Sequence, residues 1–149
     1  MLRLMMPATY RPALRRALVP ALWLIGLGAA PLRAQSAAEL IAAGDHEVAA
    51  RRPAAAVILY ERAATADPTQ ARAYWKAAAQ WTDLAEFEPV AATRTALAAK
   101  ALEAARRAVT LAPTDADAHF QVARSVGRMA LAAGPRERVK FAAEVRDEA

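Results

Sequence analysis

Two histidines (His46 and His119), two serines (Ser36 and Ser125) and no cysteine set the limits on nucleophilic, acid–base and soft-metal chemistry in this chain. Without cysteine there is no disulfide, thiolate zinc site, cysteine nucleophile or lipid-modified N-terminal cysteine. Neither histidine has a second ligand at metal spacing. Ser36 opens the sequence Ser36-Ala37-Ala38-Glu39, which reads as a helix cap and not as a nucleophile. A glycine-rich phosphate loop is absent. Glu86 and Glu88 are close in sequence, but they fall on an expected exposed loop, where no burial would raise a carboxyl pKa for general-acid work. Neither catalysis nor a cofactor or metal is expected.

The charge balance narrows the partners. The 149 residues carry 20 Lys+Arg against 15 Asp+Glu, a formal +5 that would suit a nucleic-acid binder. Five arginines (Arg3, Arg11, Arg15, Arg16, Arg33) and no acid lie in the first 34 residues, so residues 35–149 are neutral. No phosphate-backbone footprint remains in the body of the chain.

The leader has its own logic. A cationic start over 1–16 precedes an apolar run from Ala17 to Ala30, then Pro31-Leu32-Arg33-Ala34. This is the pattern of a secretory signal, with cleavage expected after Ala34. The run is shorter than the ~20 residues of a membrane span, and Pro20 interrupts its start. The alternative is an uncleaved leader that tethers the domain to the inner membrane. Arg15-Arg16 lacks the rest of a twin-arginine signal, so the general secretory route is expected, placing the mature chain in the periplasm or outside the cell.

Residues 35–149 suffice for one domain. Alanine fills 44 positions of the chain and glycine only five, and no segment alternates apolar with polar residues. Alanine, leucine, arginine and glutamate all favour helix, so the fold is expected to be all α. Pro53 suits a first helical turn. Asp67-Pro68-Thr69 and Ala112-Pro113-Thr114 each end a helix and offer a threonine to cap the next. With further breaks at Pro89 and Gly134-Pro135, helices are expected over 37–51, 54–66, 70–85, 90–111, 115–132 and 136–149.

Shifting the chain by 45 places aligns 60–78 with 105–123 at eight identical positions, including Pro68 with Pro113 and Thr69 with Thr114. Within 37–70, Leu40, Ala43-Gly44, Ala56, Tyr60, Ala63 and Pro68 have the sizes and spacing of a tetratricopeptide repeat, which the segment resembles. Small residues at Gly44, Ala56 and Ala63 would let two helices approach closely while Leu40 and Tyr60 fill the space beside them. A second unit over 71–115 resembles the same repeat. It has Ala105 in place of the aromatic and about 11 extra residues around Thr82 to Ala92 relative to the 34-residue repeat. A partial third unit covers 116–149. The long second unit and the stretch His119-Phe120-Gln121-Val122-Ala123 with Gly127-Arg128 are also similar to bacterial relatives of the regulator-of-microtubule-dynamics repeat proteins. The resemblance implies an α-solenoid of antiparallel pairs serving interaction or lipid-associated roles, with His119 as a packed residue.

In tetratricopeptide arrays the first helix of each pair lines a concave groove. The resemblance therefore assigns to a groove Ile41, Asp45 and Val48 from the first unit and Arg72, Trp75 and Ala79 from the second. From the third it assigns Asp117, Phe120, Arg124 and Arg128. Arg124 and Arg128 share a face. With Arg72, and with Trp75 and Phe120 as apolar anchors, they would suit an extended peptide with an acidic end, because guanidinium holds carboxylate through paired hydrogen bonds. Residues 136–149 form an amphipathic segment with Val139, Ala142, Ala143 and Val145 on one side, and a repeat stack needs a polar terminal face. The expected function is an exported, non-catalytic protein or peptide-binding module that contacts no nucleic acid. It would meet a membrane only through an uncleaved leader, and self-association through the open C-terminal end is allowed. The alternatives are an apolar-ligand or lipid binder using Trp75, Trp81 and Phe120, and a self-assembling structural unit.

Overall fold

The structure is a computed structural model that describes residues 35–147. The expected leader and its cleavage after Ala34 lie outside the described residues. The described residues form six α-helices and no strand: α1 (Ala37–Ala49), α2 (Pro53–Ala66), α3 (Ala71–Phe87), α4 (Ala91–Leu111), α5 (Ala116–Ala132) and α6 (Pro135–Asp147). The described residues make one compact unit.

Local chemistry sets most of the boundaries. Ser36 and Glu39 form the expected reciprocal cap. The serine hydroxyl accepts from the Glu39 N–H at 3.2 Å, and the glutamate accepts from the Ser36 N–H at 2.8 Å. Pro53 is the first residue of α2, where its missing N–H costs nothing. The two threonines do not cap as expected. Asp67 accepts from both the N–H and the hydroxyl of Thr69, turning the chain before α3. The α5 cap is Asp115, not Thr114, and it accepts from the Asp117 N–H at 2.9 Å. At α5 the ionised Asp115 is the stronger acceptor and takes the cap from its neighbour Thr114, whereas α3 starts after Gln70 with no side-chain cap.

The extra residues of the second unit do not form a loop. They lengthen α3 to 17 and α4 to 21 residues, with only Glu88-Pro89-Val90 between them. Glu86 accordingly sits in the last turn of α3, not on an exposed loop. No glycine or proline occurs from Ala71 to Glu88, so nothing stops that helix earlier.

Short turns make consecutive helices antiparallel neighbours. In the first pair, Arg62 reaches Gln35 and Tyr60 reaches Asp45. In the second, Tyr74 faces Arg107 and Trp81 faces Lys100. The alternation leaves α1, α3 and α5 running in one direction, as the advancing contacts Asp83 with Arg124 and Glu86 with Arg128 also require. Small residues carry the close approaches: Ala56, Ala63, Ala73, Ala101, Ala105 and Ala108 are all fully buried. One core gathers Leu40, Ile41, Tyr60 and Ala77. The other gathers Ala78, Leu102, Val122 and Val126, with Phe141 and Val145 of α6 laid against it. On α6 the inward side is thus Phe141 and Val145, whereas Val139 is 71% exposed, contrary to the expected apolar side. The α5–α6 turn, Ala133-Gly134, fixes a rotation of α6 that the apolar pattern alone leaves open.

Candidate functional site

The face of α1, α3 and α5 holds most of the residues expected to line a groove. It is a ladder of internal ion pairs. Asp45 accepts from the Tyr60 hydroxyl at 2.7 Å and from Lys76 Nζ at 2.7 Å, with Arg72 at 3.8 Å. Arg124 pairs with Asp83 and approaches Glu86 at 4.0 Å, and Arg128 pairs with Glu86. Each of the three expected carboxylate receivers, Arg72, Arg124 and Arg128, therefore already faces a carboxylate of the preceding first helix. Partial burial works to raise the Asp45 carboxyl, but the hydrogen bonds from Lys76 and Tyr60 and the nearby positive charges outweigh it and hold it below the ordinary range. Burial first, and Asp45 second, push the Tyr60 hydroxyl well above its usual pKa.

The aromatics of this face are unequal. Phe120 is 60% exposed, and Trp75 is half-buried with the Lys76 ammonium 4.8 Å from its ring centre. Ile41, expected on the groove wall, is instead buried with Leu40 and Tyr60, because that side of α1 turns inward toward Ala73 and Ala77 of α3. Val48, Asp117 and half-buried Ala79 remain on the surface.

A second surface lies between α2, α3 and α4, and the groove assignment did not point to it. It is a solvent-open cleft of about 650 Å³ with Ala64, Ala77 and Ala104 among its lining, Tyr74 and Trp81 as aromatic walls, and Glu61 and Glu103 on the rim. Lys100 Nζ stands 4.6 Å from the Trp81 ring centre, and the Arg107 guanidinium 6.0 Å from that of Tyr74. Among the described residues neither cation has a carboxylate within ion-pair distance, unlike Arg106 beside them, which pairs with Glu144. Their spacing of seven along α4 was readable as a shared face, but the rings beneath them come from α3, and only the α3–α4 register brings the two together.

Among the described residues no three His, Asp or Glu side chains gather to hold a metal ion. His119 is half-buried with Nε2 2.9 Å from the Pro113 carbonyl, and Ser125 is buried 3.3 Å from the Thr82 hydroxyl. No described helix is long and apolar enough to cross a membrane. The family described as regulator of microtubule dynamics protein 1-3 matches residues 35–149. No curated protein matches the chain significantly.

Proposed function

This chain belongs to the regulator of microtubule dynamics protein 1-3 family, and from that footing we propose a non-catalytic interaction module, a tetratricopeptide-type array of helix pairs acting outside the cytoplasm. Its partner is a protein segment that inserts an apolar side chain between Tyr74 and Trp81 and sets one carboxylate against Lys100 and another against Arg107, about two helical turns away. The observation that carries this reading is the pair of cations held over aromatic rings with no carboxylate of their own. A cation already desolvated on one side by a ring has less hydration to give up to a carboxylate. Glu61 and Glu103 on the rim favour a mixed-charge peptide over a simple anion. A cleft formed by three packed helices needs little rearrangement, so the ordering cost falls mainly on the ligand. An acid-tipped ligand on the α1–α3–α5 face would instead have to displace Asp83 and Glu86 from Arg124 and Arg128.

Affinity capture from an envelope fraction tests the reading. Wild type, Ala104→Trp, which fills the cleft, Lys100→Gln/Arg107→Gln, and Arg124→Glu as control are compared as baits. The expected outcome is one partner set kept by the control and lost by both cleft variants. Equal capture by all four baits, or loss with the control alone, contradicts it.

A further inference from the structure

We propose that the edge of the domain formed by the α1–α2, α3–α4 and α5–α6 turns docks on an anionic lipid surface. Because α1, α3 and α5 run in one direction, these three turns share one edge, and the α2–α3 and α4–α5 turns share the other. Among the described residues seven large apolar side chains are exposed. Four of them, Val48, Phe87, Val90 and Leu131, lie within two residues of a helix end, and all four are on the first edge. The other three, Ile58, Phe120 and Val139, stand a turn or more inside their helices. Phe87 and Leu131, at 84% and 71% exposure, project where no neighbour covers them.

Charge is sorted in the same way. Arg51, Arg94, Arg136, Arg138 and Lys140 are all exposed on or beside this edge. Two of its acids are ion-paired, Glu47 with Arg52 and Glu86 with Arg128, while Glu88, which accepts from the Val90 N–H, and Glu137 keep their charge. The opposite edge is mixed in charge, with Glu39, Asp67, Asp115 and Asp117 around its turns and Arg62, Arg72 and Arg107 beside them. The exposed apolar tips and an excess of cations thus fall together on one edge of a neutral domain. Bulky apolar tips ringed by arginine and lysine match a bilayer interface, where the tips enter the headgroup boundary and the cations meet anionic headgroups. A purely protein partner would be expected to need a continuous apolar surface, whereas these tips are separate projections at the ends of turns. The lipid contact differs from the one the leader would supply, and it leaves the α2–α3–α4 cleft free.

The test is vesicle flotation of the chain from Gln35 onward, which contains both cores of the compact unit. Helical circular dichroism of every variant is checked first. Wild type should float with vesicles of phosphatidylcholine and phosphatidylglycerol in equal parts and stay down with phosphatidylcholine alone. Phe87→Ser/Leu131→Ser and Arg136→Glu/Arg138→Glu should each lower the vesicle partition coefficient about tenfold, a change of about 1.4 kcal/mol. Arg124→Gln, on the ion-pair ladder, should leave it unchanged. Three outcomes overturn the proposal: no binding to the anionic vesicles, equal binding to both compositions, or wild-type binding by the edge variants. A concentration-dependent dimer in the absence of vesicles, abolished by Phe87→Ser/Leu131→Ser, would assign the edge to a second copy of the chain instead.

Discussion

Gly44 of α1 lies against the ring of Tyr60 of α2 so closely that a β-carbon built on it would stand 2.8 Å from Cδ1 and 2.9 Å from Cζ. Tyr60 is 1% exposed and its hydroxyl is held by Asp45, so the ring has no room to swing aside. Gly44→Ala should therefore destabilise the fold by about 1–3 kcal/mol, the cost of overpacking a core, even though alanine is the better helix former. Gly127 provides the contrast, since a β-carbon there meets nothing within 4 Å. Gly127→Ala should stabilise by up to about 1 kcal/mol. Urea midpoints of the two variants should move in opposite directions.

How far the fold is legible follows from the same residues. Gly44, Ala56, Ala63 and Tyr60 sit within two neighbouring helices, and their sizes and spacing already imply the close approach. Helix starts at Ser36 and Pro53 are equally local. The α2–α3–α4 cleft is not local. Lys100 and Arg107 carry no sign that Trp81 and Tyr74 lie under them, since that depends on the register of two long helices. Nor does any spacing rule reveal that Asp83 and Glu86 face Arg124 and Arg128 from a helix some forty residues away. A sequence read for its charges sees arginines on one face of α5 but not the acids opposite.

Asp45 joins three helices by accepting from Tyr60 of its own pair and Lys76 of the next. Asp45→Asn should cost about 1 kcal/mol, the lower part of the range for removing a charged hydrogen-bond partner, because its side chain is 38% exposed and solvent screens the charges. Its carboxyl is depressed in the folded state, so its contribution is present above the unfolded value of about 4 and is lost as pH falls through the folded value. Unfolding free energy measured against pH should show wild type and Asp45→Asn separated at neutral pH and converging in acid.

The pair of Arg124 with Asp83 links α3 to α5, with side chains 30% and 37% exposed. Such a half-exposed pair is expected to couple by no more than about 1 kcal/mol and to weaken with salt. A double-mutant cycle of Arg124→Gln and Asp83→Asn at low and high ionic strength measures this directly. Coupling well above that, insensitive to salt, would mean the pair is better shielded than its exposure implies.

α6 is the element with least holding it. None of its described residues is buried, and its attachment is Phe141 and Val145 against the second core, with the Arg106–Glu144 pair. Phe141 is half-buried, so Phe141→Ala removes about 1–2 kcal/mol of apolar contact, less than a fully buried phenylalanine would contribute. Because α6 packs mainly along α5 and contributes no buried residue, that loss should appear as local opening and not as global unfolding. Hydrogen exchange should then show the amides of 138–147 nearing unprotected rates in the variant, while those of α3, packed by α2, α4 and α5, keep their wild-type protection. A uniform loss of protection across α3 and α6 would instead show that α6 is part of the cooperative core.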